Sequence, residues 1–511
     1  MDDQFSSGEP LLEPAGDAGD DESALSRRAI LKGIGAIAAG SALAACAPAG
    51  VKSLTRTPAP IPASSSHFAR LTSTSQFTIR KPGSLPFPKL KAGTDTLPQI
   101  EHIVVLMMEN HSYDDHFGML SRGDGFKLGS DGLPIDANPY TDGNLLKAFH
   151  MPSTCQLHSV PSQAWDASHT SYDGGLNDGF VNASGPVAMG YWDGTDIPFY
   201  YGLGKTFPVA DRWFCSVLAQ TYPNRRFLMA ATAVGVVNDD AKTLAGSPPP
   251  NGTIFDRLNA HHITWTDYYS DVPAVGTIIE VLEKNPKHIA KVSQFLTDAA
   301  AGKLPSVSFV DPNFGHQSEE DPQDIRQGER FAAAIINAVM HGKAWSKTLL
   351  IWLYDEHGGY YDHVPPPAAI APDNIAPEIQ VPPDLPGGYD RYGFRVPAVI
   401  VSPYARKNYV SHVVHDHTSI LKLIETKWNL PAMTFRDANA DNLLDSLDFK
   451  SKPAFLKPPK LPAPALPASI NIDKSSATTD HCTEGDPGGT IPPPDAVVPA
   501  SQASTLRVGA T

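Results

Sequence analysis

Cysteine is scarce in this sequence, with only Cys46, Cys155, Cys215 and Cys482. No two of them form a Cys-x-x-Cys pair, which removes a zinc ribbon and a thioredoxin-type centre from consideration. With Cys46 set aside an odd number remains, so a Cys155–Cys215 bridge and two buried thiols both stay open. Clustered positive charge is also missing. Forty Lys and Arg face 55 Asp and Glu, a formal net charge of −15, which argues against nucleic acid as partner because phosphate backbones demand grouped cations. Part of the excess lies in an acidic leader, from Asp2 and Asp3 to Asp20, Asp21 and Glu22. The Gly-x-Ser-x-Gly pattern of serine hydrolases is absent. So is any apolar run long enough to span a bilayer: the stretch from Gly33 to Ala45 is short and rich in Gly and Ala. No internal repeat is present.

What is there begins with an address. Ser26-Arg27-Arg28-Ala29-Ile30-Leu31-Lys32 resembles a twin-arginine export signal, and the apolar stretch after it reads as the signal's core. Leu43-Ala44-Ala45-Cys46 resembles a lipobox, in which Cys46 becomes the lipidated first residue; cleavage after Ala44 is the simpler alternative. The organisation that follows is a signal peptide with lipobox over 1–46, a Pro/Ser/Thr-rich tether over 47–97, one large folded domain over 98–450 and a Pro/Ala-rich tail over 451–511. The tail reads either as disordered or as a belt lying on the domain. Nothing in the sequence sets an oligomeric state.

Four short apolar runs in the domain read as buried parallel strands: Ile103–Met108, Ser306–Val310, Leu349–Tyr354 and Pro397–Val401. Between the second and third, Ile325, Ala332, Ile335, Ile336 and Val339 recur at helical spacing. Strand, helix, strand is a crossover unit, so the expected fold is α/β with a mostly parallel sheet. The first strand runs into Glu109-Asn110-His111-Ser112-Tyr113-Asp114, and the third into Asp355-Glu356-His357-Gly358-Gly359. Ligands bind at the carboxyl ends of such strands. Carboxylates converging there repel one another unless a divalent cation, which takes oxygen ligands, lies between them. Caps and turns are the plainer reading of either cluster alone. Gln220-Thr221-Tyr222-Pro223-Asn224-Arg225-Arg226 precedes an Ala-rich apolar run and predicts a helix start near Asn224. Thr221 then sits where free N–H groups favour an anion, either as an N-cap residue or as a nucleophile. Arg225 or Arg226 would add a fork matched to phosphate.

Read together, these segments resemble the bacterial phosphoesterase family of phosphatidylcholine-type phospholipases C and certain acid phosphatases. The likeness runs from Glu109–Gly118 through Thr221–Arg225 to Asp355–Val364, with Asp416–Ile420 and Arg436-Asp437 behind. It implies an alkaline-phosphatase-like α/β/α sandwich with a mostly parallel central sheet, residues 98–450 being its catalytic domain. It also implies one divalent metal ion on Glu109, Asn110, Thr221, Asp355 and Glu356, with Thr221 attacking phosphorus. His158 and His169 become contacts to the phosphate or leaving group, while Asn224, Arg225 and His357 hold the substrate phosphate. The implied substrate is a phosphoester, with phospholipid one candidate, met at a membrane to which Cys46 anchors the protein. Two departures stand out. Asp321-Pro322 occupies the place where many members carry His-Pro, so either His316 takes over or that contact is missing. The β-rich modules of the larger phospholipases are not seen, which weakens phospholipid as the specific substrate. A sulfatase is disfavoured, since neither Cys155 nor Cys215 has Arg four residues on. A non-catalytic surface lipoprotein using the same fold as a scaffold is the remaining alternative.

Overall fold

The structure, a computed structural model, describes residues 78–155, 160–380, 384–466 and 491–509. Its centre is an eight-stranded sheet. The elements used below are β1 (His102–Met108), α1 (Tyr113–Phe117), α2 (Trp165–Tyr172), α3 (Pro198–Thr206), β2 (Val209–Ala210), α4 (Thr221–Ala230), β3 (Trp265–Tyr269), β4 (Ile289–Lys291), β5 (Val307–Asp311), α5 (Ile325–His341), β6 (Thr348–Tyr354), β7 (Ala398–Val401), β8 (Val410–Ser411) and α6 (His417–Trp428). The strand order is β8-β2-β7-β6-β1-β5-β3-β4.

β1 lies between β5 and β6 and runs parallel to both. All three strands are buried on both faces, which is why their sequences read as unbroken apolar runs. α5 is the crossover between β5 and β6, and its Ile325, Ala332, Ile335, Ile336 and Val339 are all buried. The expected α/β layering is therefore present. One strand differs: β7 pairs antiparallel with β6. Described residues between Glu356 and Pro397 form no helix, and an antiparallel return needs no helical crossover.

The flanks are more structured than their composition implies. Within the expected tether, the Gly93 amide bonds the Trp428 carbonyl, and the Asn429 side chain takes the Phe87 amide and returns bonds to the Phe87 and Leu90 carbonyls. The described tail is a belt. Val497–Val498 and Arg507–Val508 complete a small sheet with Asp136–Pro139 and Leu145–Lys147. The Cys155–Cys215 bridge is not formed: Cys215 is a free buried thiol, while Cys155 is disulfide-bonded. The export signal, the lipobox with Cys46, and His158 lie outside the described residues.

Candidate active site

Met108 is paired with Tyr354, so β1 and β6 deliver Glu109-Asn110 and Asp355-Glu356 side by side at one edge of the sheet. Glu109, Asp355 and Glu356 are fully buried there. Gly358 lets the turn after β6 close onto β1: at φ 66° it lies so near the Asn110 carbonyl that a Cβ would stand 1.9 Å from that oxygen. The Asn110 amide reaches back, one of its terminal atoms lying 2.8 Å from Glu356 Oε1 and 3.0 Å from Asp355 Oδ1.

α4 brings in Thr221. The helix starts at Thr221 rather than near Asn224, with Gln220 as an N-cap residue whose side chain makes no capping bond. That task falls to Asp239, whose Oδ1 accepts the Tyr222 amide at 2.7 Å and which also bonds the Thr221 amide. Thr221 is thus not the cap. Its hydroxyl turns to the Asp355 carboxylate and helps to hold that carboxyl down.

Asn224 does not point to a phosphate. Its Oδ1 accepts the amides of Ser216 and Val217 at 2.8 and 3.1 Å, and its Nδ2 donates to the Val217, Ala219 and Gln220 carbonyls. An amide so engaged has no capacity left for substrate; it fixes the loop that presents Thr221. Arg225 is also redirected. Its Nε donates to Asp355 Oδ2 at 3.1 Å, its Nη2 to Glu109 Oε1 at 3.3 Å, and its Nη1 lies 3.7 Å from Asp311 Oδ1. The guanidinium compensates carboxylates instead of facing an incoming phosphate, because the strand ends surround it with negative charge. Arg226 is held by the Thr277 and Ser247 carbonyls.

One arginine does not neutralise the cluster. Burial, and after it the charge of Asp355, pushes Glu109 well above the ordinary carboxylate range, and Glu320 and Asp239 add to the repulsion. Glu356 is raised in the same way. Burial lifts Asp355 despite the opposing pull of Arg225, and it lifts Asp239 to about 7. Glu109 Oε2 is buried with no hydrogen-bond partner. Nothing in the sequence marks Asp239, since the Asn238-Asp239-Asp240 loop carries no motif spacing.

The residues present fit a hard cation. Were the Asn110 amide to offer oxygen to its neighbours, three oxygens would meet at 2.8 and 3.0 Å, an arrangement that only a shared cation makes favourable. With nitrogen on that side, the same amide donates to both carboxylates. Among the described residues, groups of three His, Asp or Glu ligand atoms within 4.8 Å occur elsewhere: His111 with Asp115 and His116, His150 with Asp193 and Asp196, and His415 with Asp441 and Asp445. Glu109, Asp355 and Glu356 do not draw together as tightly as these groups, and the Asn110 amide bridges the last two.

The histidines divide. His169, on α2, places Nδ1 2.7 Å from the Trp165 carbonyl and its ring against the Trp165 indole, contacts that belong to its own helix. His357 is buried between Phe180 and Phe394, with Nδ1 3.4 Å from Glu356 Oε2 and Nε2 unpartnered; burial pulls it down to about 3. A neutral imidazole there gives no positive charge to a phosphate. His417 Nε2 donates to the Asp355 carbonyl at 2.6 Å. His316 lies partly buried in the turn after β5. Asp321 accepts the Tyr360 hydroxyl at 2.6 Å, and burial raises it to about 8.

A mostly parallel α/β sheet that gathers carboxylates, an amide and a helix-borne hydroxyl at its carboxyl edge defines a hydrolase of phosphoester type. The chain belongs to the Phosphoesterase family, whose model matches residues 100–431. It is 30% identical over 436 residues to phospholipase C A of Mycobacterium tuberculosis, covering 73% of this chain and 83% of that protein. Non-specific phospholipase C1 of Arabidopsis thaliana is 30% identical over 403 residues, covering 71% and 74%. Non-hemolytic phospholipase C of Pseudomonas aeruginosa is 26% identical over 423 residues, covering 74% and 60%. Among solved structures, a protein in the alkaline phosphatase superfamily from Vibrio parahaemolyticus aligns at TM-score 0.34 and 11% identity, over 65% of this chain and 77% of that one. The family assignment makes this chain a phospholipase C-like phosphoesterase hydrolase.

Proposed function

We propose that the protein cleaves the phosphodiester of a phospholipid headgroup, or a phosphoester of similar shape, through a phospho-threonine at Thr221. The observation that carries this is the Thr221 hydroxyl, turned to the Asp355 carboxylate at the N-terminus of α4 and beside the Glu109-Asn110 strand end. The Oγ–phosphorus bond forms, the bond from phosphorus to the leaving oxygen breaks, and the hydroxyl proton passes by way of the carboxylates to that oxygen, which departs as an alcohol. Water then attacks the same phosphorus and releases Thr221. The positive end of the α4 dipole faces the transferred group, while the Thr221 and Tyr222 amides are taken by Asp239. A divalent cation held by Glu109, Asn110, Asp355, Glu356 and the Thr221 oxygen would lower the hydroxyl's pKa and neutralise charge on the phosphoryl oxygens. The names of the relatives support a phospholipid. Export through Arg27-Arg28 and lipidation at Cys46 would place the enzyme at a membrane surface outside the cytoplasm.

Rapid quench with a labelled phospholipid, followed by peptide mapping, tests the intermediate. A phosphorylated peptide containing Thr221 is expected. Thr221→Ala should lose at least about 10³-fold in turnover, or ~4 kcal/mol of transition-state stabilisation. Thr221→Ser, which keeps the oxygen, should stay active. Near-normal turnover by folded Thr221→Ala enzyme ends the proposal. Parallel assays on phosphatidylcholine, a soluble phosphodiester and a phosphomonoester identify the substrate class.

A further inference from the structure

Beneath the site lies a polar network that the chemistry above does not use. Glu319 is fully buried, and three side chains converge on its carboxylate. The Tyr200 hydroxyl donates to Oε1 at 2.5 Å, the Tyr354 hydroxyl donates to Oε2 at 2.6 Å, and His116 Nε2 lies 3.1 Å from Oε2. The main chain of the same residue takes a fourth contact. His111 Nε2 lies 3.1 Å from the Glu319 carbonyl oxygen, which can only accept, so this nitrogen carries the hydrogen. The other ring nitrogens of His111 and His116 turn to one carboxylate, Asp115, at 2.7 and 3.2 Å.

The partners are placed unevenly. His111 follows Asn110 directly, at the end of β1, and Tyr354 is the last residue of β6, directly before Asp355. Glu319 therefore holds the neighbour of a candidate cation ligand on each strand. Two locally unfavourable choices accompany it. Glu319 itself is left-handed, at φ 79°, a conformation most side chains avoid. Gly328 sits inside α5, where glycine weakens a helix, and a Cβ there would stand 2.1 Å from Glu319 Cγ. Apolar packing would need neither the strained backbone nor the glycine, nor the desolvation of a carboxylate. A residue whose task is to tie two strand ends at a fixed spacing needs all three.

We propose that Glu319 is a positioning residue for the phosphoesterase reaction: its carboxylate on Tyr354 and its main-chain carbonyl on His111 fix how the paired ends of β6 and β1 present Asp355 and Asn110. The inference rests on the reading of these strand ends as cation ligands. The tie acts through neighbours and touches neither cation nor substrate. Loss of its carboxylate leaves every ligand present but frees the β6 end, so cation affinity and kcat suffer more than KM.

The full chain, stripped by chelation, is titrated with Mn2+ and followed by electron paramagnetic resonance, with kcat, KM and thermal unfolding measured alongside. Tyr354→Phe, which deletes one hydroxyl, is expected to weaken Mn2+ binding or kcat by about 10- to 100-fold. KM should stay within about threefold of wild type, the signature of an interaction that substrate binding does not use. Glu319→Ala should do the same or worse, and Glu319→Gln, isosteric and still able to meet the tyrosines, should recover most of the loss. Should Glu319→Ala fail to fold, Tyr354→Phe decides. Folded variants with wild-type Mn2+ affinity, resonance spectrum and kcat, changed only in unfolding temperature, overturn the positioning role. A wild-type protein that binds no Mn2+ and works fully after stripping overturns instead the cation site on which this inference stands, a separate result read before any variant is made.

Discussion

Arg225 Nε stands 3.1 Å from Asp355 Oδ2, joining the helix that carries Thr221 to the strand end against which the Thr221 hydroxyl leans. With its Nη2 on Glu109, the same guanidinium spans both strand ends. This arginine is the fixed countercharge of the cluster, and the cation proposed here would be the exchangeable one.

Removing it should therefore have a cation-dependent effect. Arg225→Met in chelated protein leaves Glu109, Asp355 and Asp311 buried without their partner and should cost on the order of 3–5 kcal/mol. Saturating divalent cation should restore part of that. Urea unfolding with and without the cation measures both. An equal loss under the two conditions would mean that the carboxylates do not share a cation.

Asn224 makes a different prediction. Asn224→Ala strands the Ser216 and Val217 amides and should destabilise by roughly 2–6 kcal/mol, given about 1–3 for each buried group left unpaired. The loop presenting Thr221 loosens, so kcat per folded molecule should fall further than cation affinity, since Glu109, Asn110, Asp355 and Glu356 are untouched. Asn224→Asp keeps the acceptor for both amides but turns a buried carboxylate oxygen on the Val217, Ala219 and Gln220 carbonyls, so it should destabilise at least as much. Cation affinity that falls as far as kcat would refute the separation of roles.

These two residues also show how far the sequence could be read. β1 and β6 were legible because a strand buried on both faces has to be apolar throughout, and the polar residues that end it then stand out. Asn224 and Arg225 were legible as residues that matter but not in what they touch. An arginine near a helix start suits a phosphate or a carboxylate equally, and only the placement of Glu109, Asp311 and Asp355 around it decides. Glu319 and Asp239 carried no local pattern, as each acts on elements distant in sequence. The antiparallel direction of β7 was not legible, because burial on both faces leaves no mark of direction. The strands at Val497–Val498 and Arg507–Val508 are too short to have a period.

Location is tested outside the folded domain. Replacing Arg27 and Arg28 by Lys should retain the precursor in the cytoplasm. Cys46→Ala should move mature protein from the membrane fraction to the soluble one with unchanged specific activity. A Cys46→Ala protein that stays in the membrane fraction removes the lipid anchor from the proposal.

The last prediction concerns pH and a pair outside the proposed ligand set. His363 Nδ1 and its own amide meet Asp114 Oδ2 at 2.7 and 2.8 Å, while Nε2 faces Asp124 at 3.3 Å. Arg395 bonds the other Asp114 oxygen at 3.0 Å and Asp362 at 2.9 Å, so two cations and three carboxylates share one enclosure. Burial alone would lower His363, but Asp114 and Asp124 outweigh it and raise the imidazole from 6.5 to about 9. The sign follows from proton uptake. Between these values the folded protein holds a proton that the unfolded chain has lost, so the contribution is complete below pH 6.5 and disappears as pH rises through 9. The size is about 3 kcal/mol, since each tenfold gain in proton affinity on folding is worth roughly 1.4 kcal/mol. Other buried acids titrate over part of the same range, so the wild-type curve alone does not isolate the pair. The difference in unfolding free energy between wild type and His363→Gln does, and it should shrink by about 3 kcal/mol between about pH 6 and about pH 10. A difference that stays flat across that range would show that His363 is neutral in the folded protein and that Asp114 is balanced by Arg395 alone.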